Sequence, residues 1–284
     1  FVSDSDFKIL FADFKRLYAS VRGKFAAAGI ASADADWICA EIMNCGRGEL
    51  PCLRYADSKQ YAEINAFAER RLSKEPLQYI LGYTEFADCK IKVNPSCLIP
   101  RFETEFLTDL LIKEGVKGKT ILDLCTGSGC IGIALARNGA FVTASDISEA
   151  ALKTAEENAR VNGAENIMFV NSDLFDNIDG KFDIIVSNPP YVSDAEYVVL
   201  SEEVKKEPES ALKAGADGMD FYKIIIPECG GYLRDGGFVI FECGIGQSEE
   251  IVRLLENNSF AGVTVIKDLD GADRFVKGVK LSDV

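Results

Sequence analysis

Histidine is absent from this sequence of 284 residues. Because histidine is the commonest general base in enzymes, its absence excludes His-dependent catalytic triads and most nucleophilic hydrolases. The nine cysteines form no Cys-x-x-Cys pair. Without such pairs and without histidine, the sequence predicts neither a metal site nor a disulfide framework. We expect reduced and mostly buried thiols, as is usual in the cytoplasm.

Long apolar runs are also missing, since none approaches the roughly 20 residues that span a bilayer. The chain begins with the polar, acidic stretch Phe1–Asp6, so no signal or transit peptide is expected. Basic residues are in short supply, with 31 Lys and Arg against 45 Asp and Glu and a net charge of −14. Residues 1–78 are neutral, and the remainder holds 20 basic and 34 acidic residues. The sequence therefore predicts a cytoplasmic protein that binds neither a membrane nor nucleic acid directly.

Three regions follow one another along the chain. Residues 6–75 show helical spacing of apolar positions, which predicts a small all-α bundle spanning residues 1–75, with Ser32 and Asp34 as candidate caps. Residues 76–100 alternate and contain Gly and Pro, which predicts a β-hairpin linker. From 101 to 284 strands and helices alternate, which predicts a parallel sheet with helices on both faces. The strands are expected at 120–124, 141–145, 166–170, 182–187, 237–242, 262–267 and 274–280. The helices are expected at 103–114, 130–138, 149–162, 221–233 and 247–257.

A glycine-rich loop follows the first of these strands. Gly127, Gly129 and Gly132 satisfy G-x-G-x-x-G, the pattern of a nicotinamide-binding domain and of a strand-to-helix turn that approaches other nucleotides. Asp146 ends the second strand, where an acid binds ribose hydroxyls in either case. A dehydrogenase would usually add a catalytic residue such as histidine, whereas transfer of a methyl group from S-adenosylmethionine requires no strong base. The predicted cofactor loop comprises Cys125, Thr126, Gly127, Ser128 and Gly129.

A second acidic position follows the third strand. Asp173 could accept a hydrogen bond from an adenine amino group, and Leu174 could pack near the ring. Asp173 could equally be an N-cap or a turn residue. Both residues are therefore candidate cofactor contacts.

The tetrapeptide Asn188-Pro189-Pro190-Tyr191 directly follows the strand at 182–187. Its two prolines lack backbone donors, so the loop offers acceptors, namely carbonyl oxygens and the Asn188 side chain. Such a loop suits a planar NH2 group whose nitrogen must face a second reactant. At this point both adenine and a glutamine side chain fit as the acceptor.

Four further motifs give the chain a family likeness: Pro76–Gly82 with Glu85-Phe86, Leu98–Glu105, Glu207–Leu212 and Gly215–Asp220. With the tetrapeptide, they make the chain resemble the peptide chain release factor glutamine methyltransferase (HemK) family, within the class I S-adenosylmethionine-dependent methyltransferases. Two departures are visible. Phe102 stands where the family usually has proline, and Cys125 holds the first glycine position of the cofactor loop.

The resemblance implies a Rossmann-like sheet of seven mostly parallel strands with a C-terminal antiparallel hairpin strand, in a methyltransferase domain at 101–284. It implies transfer of the methyl group of S-adenosylmethionine, leaving S-adenosylhomocysteine, to the glutamine amide in the Gly-Gly-Gln motif of class I release factors. The helical region would dock that protein, and the enzyme would be a monomer. The implied catalytic residues are Asn188, Pro189 and Tyr191, and Asn188 would also touch the cofactor. The implied substrate-binding residues are Asn188, Pro189, Pro190 and Tyr191. Arg101 and Glu103 are further candidate substrate-binding residues at the acceptor entrance, although they could equally form a surface ion pair.

Two alternatives remain at this stage. A nucleic-acid adenine methyltransferase shares the tetrapeptide, but it would need a basic groove and aromatic residues to hold a flipped base. A methyltransferase fold without activity could act as an interaction scaffold, although the ribose acid, the glycine loop and the acceptor loop are all present.

Overall fold

The computed structural model describes residues 11–281. The chain divides into two compact units, one up to Gly82 and one from Tyr83 onward. No helix within residues 11–281 has the length and apolar character needed to cross a membrane.

The first unit is mainly helical. Its helices are α1 (Phe14–Ala27), α2 (Ser32–Met43), α3 (Ser58–Leu72) and α4 (Leu77–Leu81), with a 3-10 helix at Arg47–Cys52. Strands β1 (Phe11–Asp13) and β2 (Tyr55–Asp57) form a small antiparallel pair that the helical pattern did not predict. The core of this unit is built from apolar side chains that include Phe14, Val21, Phe25, Ile38 and Ile64. The part of the predicted helical region at residues 6–10 lies outside the described residues.

Helix caps in this unit differ in part from expectation. The predicted caps Ser32 and Asp34 are wrong, because α2 begins at Ser32 and Ala31 occupies the N-cap position without a side-chain bond. Asp34 instead forms an ion pair with Arg71 at 2.7 Å. The Asp57 side chain caps α3 by accepting from the Gln60 amide at 2.7 Å.

The hairpin is shorter than the sequence predicted. Strands β3 (Tyr83–Phe86) and β4 (Cys89–Lys92) pair antiparallel, whereas residues 77–81, inside the predicted linker at 76–100, are helical. The motif Pro76–Gly82 explains this, because Pro76 is the N-cap of α4 and Gly82 ends it with φ +81°.

The second unit is built on a seven-stranded sheet, in the order β10-β11-β9-β8-β5-β6-β7. Five neighbouring strands are parallel, and β11 runs antiparallel to both β9 and β10. The predicted fold class is therefore confirmed. The strands are β5 (Thr120–Leu124), β6 (Phe141–Asp146), β7 (Ile167–Asn171), β8 (Phe182–Ser187), β9 (Leu233–Glu242), β10 (Phe260–Lys267) and β11 (Asp273–Lys280).

Helices cover most of this sheet. They are α5 (Phe102–Glu114), α6 (Cys130–Arg137), α7 (Glu149–Asn162), α8 (Asp194–Val199), α9 (Asp220–Cys229) and α10 (Ser248–Asn257), of which α8 was not predicted. The helix predicted at 221–233 ends earlier, at Cys229, and Leu233 begins β9.

One part of the sheet has no helical cover. The connection between β7 and β8, residues 172–181, is fully described and contains no helix. Phe141 on β6 and Met168 on β7, which lie on the same face, are therefore 55% and 59% exposed. The expectation of helices over both whole faces is wrong at this edge.

Candidate active site

A cavity of about 350 Å³ lies at the carboxyl ends of β5, β6 and β8. Loops at this edge of a parallel sheet diverge on either side, which makes it the usual place for a ligand. Nearly all the predicted cofactor residues line this cavity. They are Cys125, Thr126, Gly127, Ser128, Asp146, Asp173, Leu174 and Asn188.

The glycine loop is anchored from below by a buried carboxylate. Asp123 Oδ2 accepts from Thr126 Oγ1 at 2.5 Å and from the Gly132 amide at 2.9 Å. Burial raises the pKa of Asp123 to about 6. The predicted residue Gly129 does not line the cavity, but it is the N-cap of α6, at φ +81°. A Cβ there would lie 2.9 Å from Ala155 Cβ, so only glycine fits without displacement.

Cys125 adopts the left-handed conformation, with φ +63°. This explains why glycine is usual at the first position of the loop, since a Cβ is disfavoured at such φ values. Cys125 is small enough to be accommodated, and burial raises the pKa of its thiol well above the ordinary value. All nine cysteines are free thiols, and six of them are buried.

Asp146 connects the second strand with the loop. Its Oδ2 accepts from the Gly127 amide at 2.8 Å, and its Oδ1 accepts from the Ser148 amide at 2.9 Å. Burial raises the pKa of Asp146, and the two backbone donors oppose that rise. The carboxylate thus fixes the loop at the same time as it borders the cavity.

Asp173 and Leu174 line the cavity just after β7, the strand that pairs with β6. The Asp173 carbonyl accepts from the Asp176 amide at 3.0 Å, so this residue does begin a turn. Both residues line the cavity nevertheless, and the turn therefore serves to present them there.

The tetrapeptide separates the first cavity from a second one of about 210 Å³. Asn188 lines both cavities. Pro190 lines the first, whereas Pro189 and Tyr191 line the second. The tetrapeptide is therefore a wall between the two cavities, and Asn188 is the only one of its four residues that lines both.

A buried hydrogen-bond network holds this wall. Asn188 Nδ2 donates to Thr104 Oγ1 at 3.0 Å, and Thr104 Oγ1 donates to Glu242 Oε2 at 2.7 Å. The Tyr191 hydroxyl donates to Glu242 Oε1 at 3.4 Å. Burial raises the pKa of Tyr191 well above its ordinary value. The first and last residues of the tetrapeptide are thus connected through one carboxylate.

The backbone of the tetrapeptide is held from the other side by Gln247. Its Nε2 donates to the Tyr191 carbonyl at 2.9 Å and to the Gly218 carbonyl at 3.2 Å, while its Oε1 accepts from the Gly244 amide at 2.8 Å. Gly218 packs so closely here that a Cβ would lie 2.3 Å from the Tyr191 carbonyl oxygen.

The two other predicted substrate residues are placed differently. Arg101 lines both cavities and pairs with the buried carboxylate of Glu207 at 2.6 Å. Glu207 also accepts from the Ile99 amide at 2.9 Å, so it fixes the segment before α5. Glu103 lines neither of these two cavities. Arg101 forms its ion pair with Glu207 and not with Glu103.

Comparison with known proteins decides the family. Residues 102–217 match the family model "Methyltransferase small domain", and residues 16–82 match "PrmC N-terminal domain". The chain is 38% identical over 256 residues to release factor glutamine methyltransferase of Fusobacterium nucleatum, covering 86% of this chain and 72% of that protein. It is 36% identical over 265 residues to the Geobacter sulfurreducens protein of the same name, covering 90% and 93%.

The chain belongs to the release factor glutamine methyltransferase family. The family resemblance drawn from the sequence motifs is thereby confirmed. A methyltransferase from Pyrococcus furiosus has a similar fold, with a TM-score of 0.52 over 68% of this chain and 90% of that one. Its 19% identity relates the two folds and nothing more.

The first cavity fits the methyl donor of this family of methyltransferases, S-adenosylmethionine. Its volume is in the range of sites that hold small cofactors. The cavity wall also holds Ser145, whose buried Oγ has no hydrogen-bond partner within residues 11–281. Buried polar atoms are rarely left unpaired, so this hydroxyl is consistent with a ligand that completes the site. No group of three or more His, Cys, Asp or Glu side chains in the described part of the chain could hold a metal ion.

Sequence reasoning missed three residues that organise this site, namely Thr104, Glu242 and Gln247. Thr104 lies inside the family motif Leu98–Glu105, in which only Arg101 and Glu103 were expected to contact the substrate. Glu242 ends β9, a parallel strand next to the one that carries the tetrapeptide. An acid at the carboxyl end of such a strand is a signal that could have identified it.

Proposed function

We propose that this protein transfers the methyl group of S-adenosylmethionine to the side-chain amide nitrogen of the glutamine in the Gly-Gly-Gln motif of class I peptide chain release factors. The observation that carries the proposal is the hydrogen bond from Asn188 Nδ2 to Thr104 Oγ1. It leaves Asn188 Oδ1 as the side-chain atom that can accept a hydrogen bond from a substrate NH2 group.

The chain positions the acceptor nitrogen. Asn188 Oδ1 and the Pro189 carbonyl accept the two N–H bonds of the glutamine amide, and Tyr191 packs beside its plane. An amide nitrogen is a poor nucleophile because its lone pair is delocalised into the carbonyl. Two fixed acceptors orient that nitrogen and stabilise the positive charge that develops on it.

S-adenosylmethionine, when bound, would supply a sulfonium methyl group: a nitrogen–carbon bond would form while the carbon–sulfur bond breaks, with its electron pair going to sulfur. The methylated nitrogen would lose one proton to solvent as the product leaves the site. Asp146, Asp173 and the loop at 125–129 are proposed to hold the ribose, the adenine edge and the amino acid part of the donor.

The second cavity is proposed as the path of the glutamine side chain. It lies on the Pro189 and Tyr191 face of the tetrapeptide, and it shares Asn188 with the first cavity. Its remaining wall is largely apolar and includes Leu98, Leu200, Val204 and Leu212. Such a wall suits the methylene groups of a glutamine side chain and excludes water from the amide.

The partner is proposed to be a protein rather than a nucleic acid. Residues 79–284 carry 34 acidic and 20 basic residues, which repels phosphate backbones. The neutral helical region is proposed to dock the release factor, with the enzyme acting as a cytoplasmic monomer. The domain limits 1–75, 76–100 and 101–284 stay predictions alongside the observed division at Gly82.

One experiment tests the substrate. Purified protein is incubated with methyl-labelled S-adenosylmethionine and, in parallel, a class I release factor, its Gly-Gly-Gln Gln→Ala variant, DNA and RNA. We expect label in the intact release factor alone. Label in DNA or RNA would support the adenine methyltransferase instead. Absence of label everywhere, together with no binding of the donor in a titration, would support a scaffold.

A further inference from the structure

Glu242 is a buried carboxylate that the transfer reaction does not use directly. It ends β9 beside the strand that carries the tetrapeptide, and only 1% of its surface is exposed. Its two side-chain oxygens accept from Thr104 and Tyr191, and its main-chain oxygen accepts from the Tyr222 hydroxyl at 2.7 Å. It is therefore in contact with both ends of the acceptor loop, directly at Tyr191 and through Thr104 at Asn188.

The protonation state of Glu242 determines which way the hydrogen bonds run between Asn188, Thr104 and Glu242. An ionised carboxylate only accepts, so the single Thr104 hydroxyl proton points at Glu242. The Thr104 lone pairs then face Asn188, which must present Nδ2 to them, as observed at 3.0 Å. A protonated Glu242 can donate to Thr104 instead. The Thr104 proton is then free to donate to Asn188 Oδ1, which turns the amide over.

We propose that Glu242 and Thr104 are positioning residues that set the orientation of the Asn188 amide, and that only the ionised Glu242 selects the orientation whose oxygen accepts the substrate NH2. The proposal rests on the proposed function, because an accepting oxygen is needed here only if an NH2 group is the acceptor. Glu242 lines neither cavity, whereas Thr104 lines the first.

The burial of Glu242, modified by its polar and charged neighbours, places its titration near neutral pH. Burial is the largest influence and raises the pKa of Glu242 to about 7. Arg274 on β11 lowers that pKa, and so do the hydrogen bonds from Thr104 and Tyr191, whereas Glu103 on α5 raises it. The thiol of Cys243 and the hydroxyl of Tyr222 are the other titratable groups beside it. Activity is thus expected to fall on acidification below about pH 7.

The first arm of the test needs no methyl acceptor. Side-chain amide signals of 15N-labelled protein are followed by NMR from about pH 5.5 to about pH 9, and the Asn188 signal is assigned by its loss in Asn188→Ala. We expect the Asn188 signal to shift with a midpoint near neutral pH in the wild type. We expect no such shift in Glu242→Gln, which cannot ionise.

The second arm measures the pH profile of kcat, the KM for the release factor and the Kd for the donor. Thr104→Val, which keeps the shape but removes the hydroxyl, should lower kcat at least tenfold with donor Kd changed less than about threefold. Thr104→Ser should retain kcat within about threefold together with the wild-type acid limb. Glu242→Gln should lose the acid limb. Because it introduces no unpaired charge, it remains informative if Thr104→Val fails to fold.

The outcomes separate the positioning role of Glu242 and Thr104 from the proposed methylation of release factors. An Asn188 signal that does not respond to pH, or one that titrates equally in Glu242→Gln, overturns the positioning role. Wild-type kcat in folded Thr104→Val also overturns it. If the Asn188 signal follows Glu242 but the wild type methylates no release factor, the proposed function fails while the coupling of Glu242 to Asn188 stands.

Discussion

Asn188 Nδ2 donates to Thr104 Oγ1 across 3.0 Å, although the two residues are 84 positions apart in the chain. The contact joins the start of α5 to the loop after β8. It decides which atom of the Asn188 amide is available to a substrate. A loop that could in principle present either a donor or an acceptor is thereby made an acceptor site.

The first prediction concerns Asn188 itself. We expect Asn188→Ala to lower kcat about 100-fold, because it removes one fixed acceptor from the charge that develops on nitrogen. The Kd for S-adenosylmethionine should change far less, because the loop at 125–129 and Asp146 are untouched. Asn257→Ala, at an exposed position near the end of α10, is the control and should behave as wild type. Comparable turnover in the two variants would argue against the assigned role of Asn188.

Gly218 offers a second test, through the backbone of the tetrapeptide. In Gly218→Ala the new Cβ would lie 2.3 Å from the Tyr191 carbonyl oxygen and 2.5 Å from Gln247 Nε2. We expect displacement of Tyr191 and a fall in kcat of about 100-fold, since small misplacements in a site have effects of this size. Gly236→Ala is the matched control, because Gly236 also has positive φ (+75°) but has no atom within 4 Å of the added Cβ. Equal activity of both variants would contradict the bracing role of this contact.

Cys125 tests the geometry of the cofactor loop. Cys125→Val puts a β-branched side chain at φ +63°, so we expect a loss of stability of about 2 kcal/mol or more and weaker donor binding. Cys125→Gly suits that φ value and should keep donor affinity within a few-fold. Thermal unfolding and calorimetric titration with S-adenosylmethionine measure the two effects. A valine variant that binds the donor as well as the glycine variant would show that the loop tolerates any residue there.

Two buried carboxylates, Asp123 and Glu242, make stability depend on pH. Burial raises the pKa of Asp123 to about 6 and that of Glu242 to about 7. For both groups the pKa in the folded state lies above the pKa in the unfolded state. The contribution of each protonated carboxyl group to the stability of the fold is therefore complete below the unfolded-state pKa, and it is lost as pH rises through the folded-state pKa. Between about pH 4 and about pH 7 we expect the free energy of unfolding to fall by about 3 kcal/mol for each group.

Urea unfolding at a series of pH values measures this slope. Glu242→Gln should remove the share that belongs to Glu242, so its unfolding free energy should depend less on pH than that of the wild type. The same slope in both proteins would mean that Glu242 is not the titrating group.

Local patterns were sufficient to predict much of the fold. The strands β5 and β8 are short apolar runs bounded by turn signals, and the sequence predicted their limits as the structure has them. The sequence predicts no helix between β7 and β8, as the structure has it, but it did not show that Phe141 and Met168 would be left exposed there. The α4 helix was missed because its five residues are too few to show a helical period.

In the site, too, the residues within local sequence patterns could be predicted, whereas those that depend on long-range packing could not. The cofactor loop, Asp146 and the tetrapeptide are contiguous or follow strands, so the sequence alone places them at one edge of the sheet. Thr104 and Glu242 are 138 positions apart, and their contact depends on how α5 packs beside β9. Glu103 and Thr104 are neighbours on a helix and point about 100° apart, so choosing between them requires the packed orientation of that helix.

The most direct test of the central claim is to locate the transferred methyl group. A class I release factor is incubated with the protein and S-adenosylmethionine, digested, and its Gly-Gly-Gln peptide is fragmented by mass spectrometry, with the Asn188→Ala variant run alongside. We expect one methyl group on the glutamine side-chain amide with the wild type and very little with the variant. A methyl group on any other residue, or equal modification by both proteins, would contradict it.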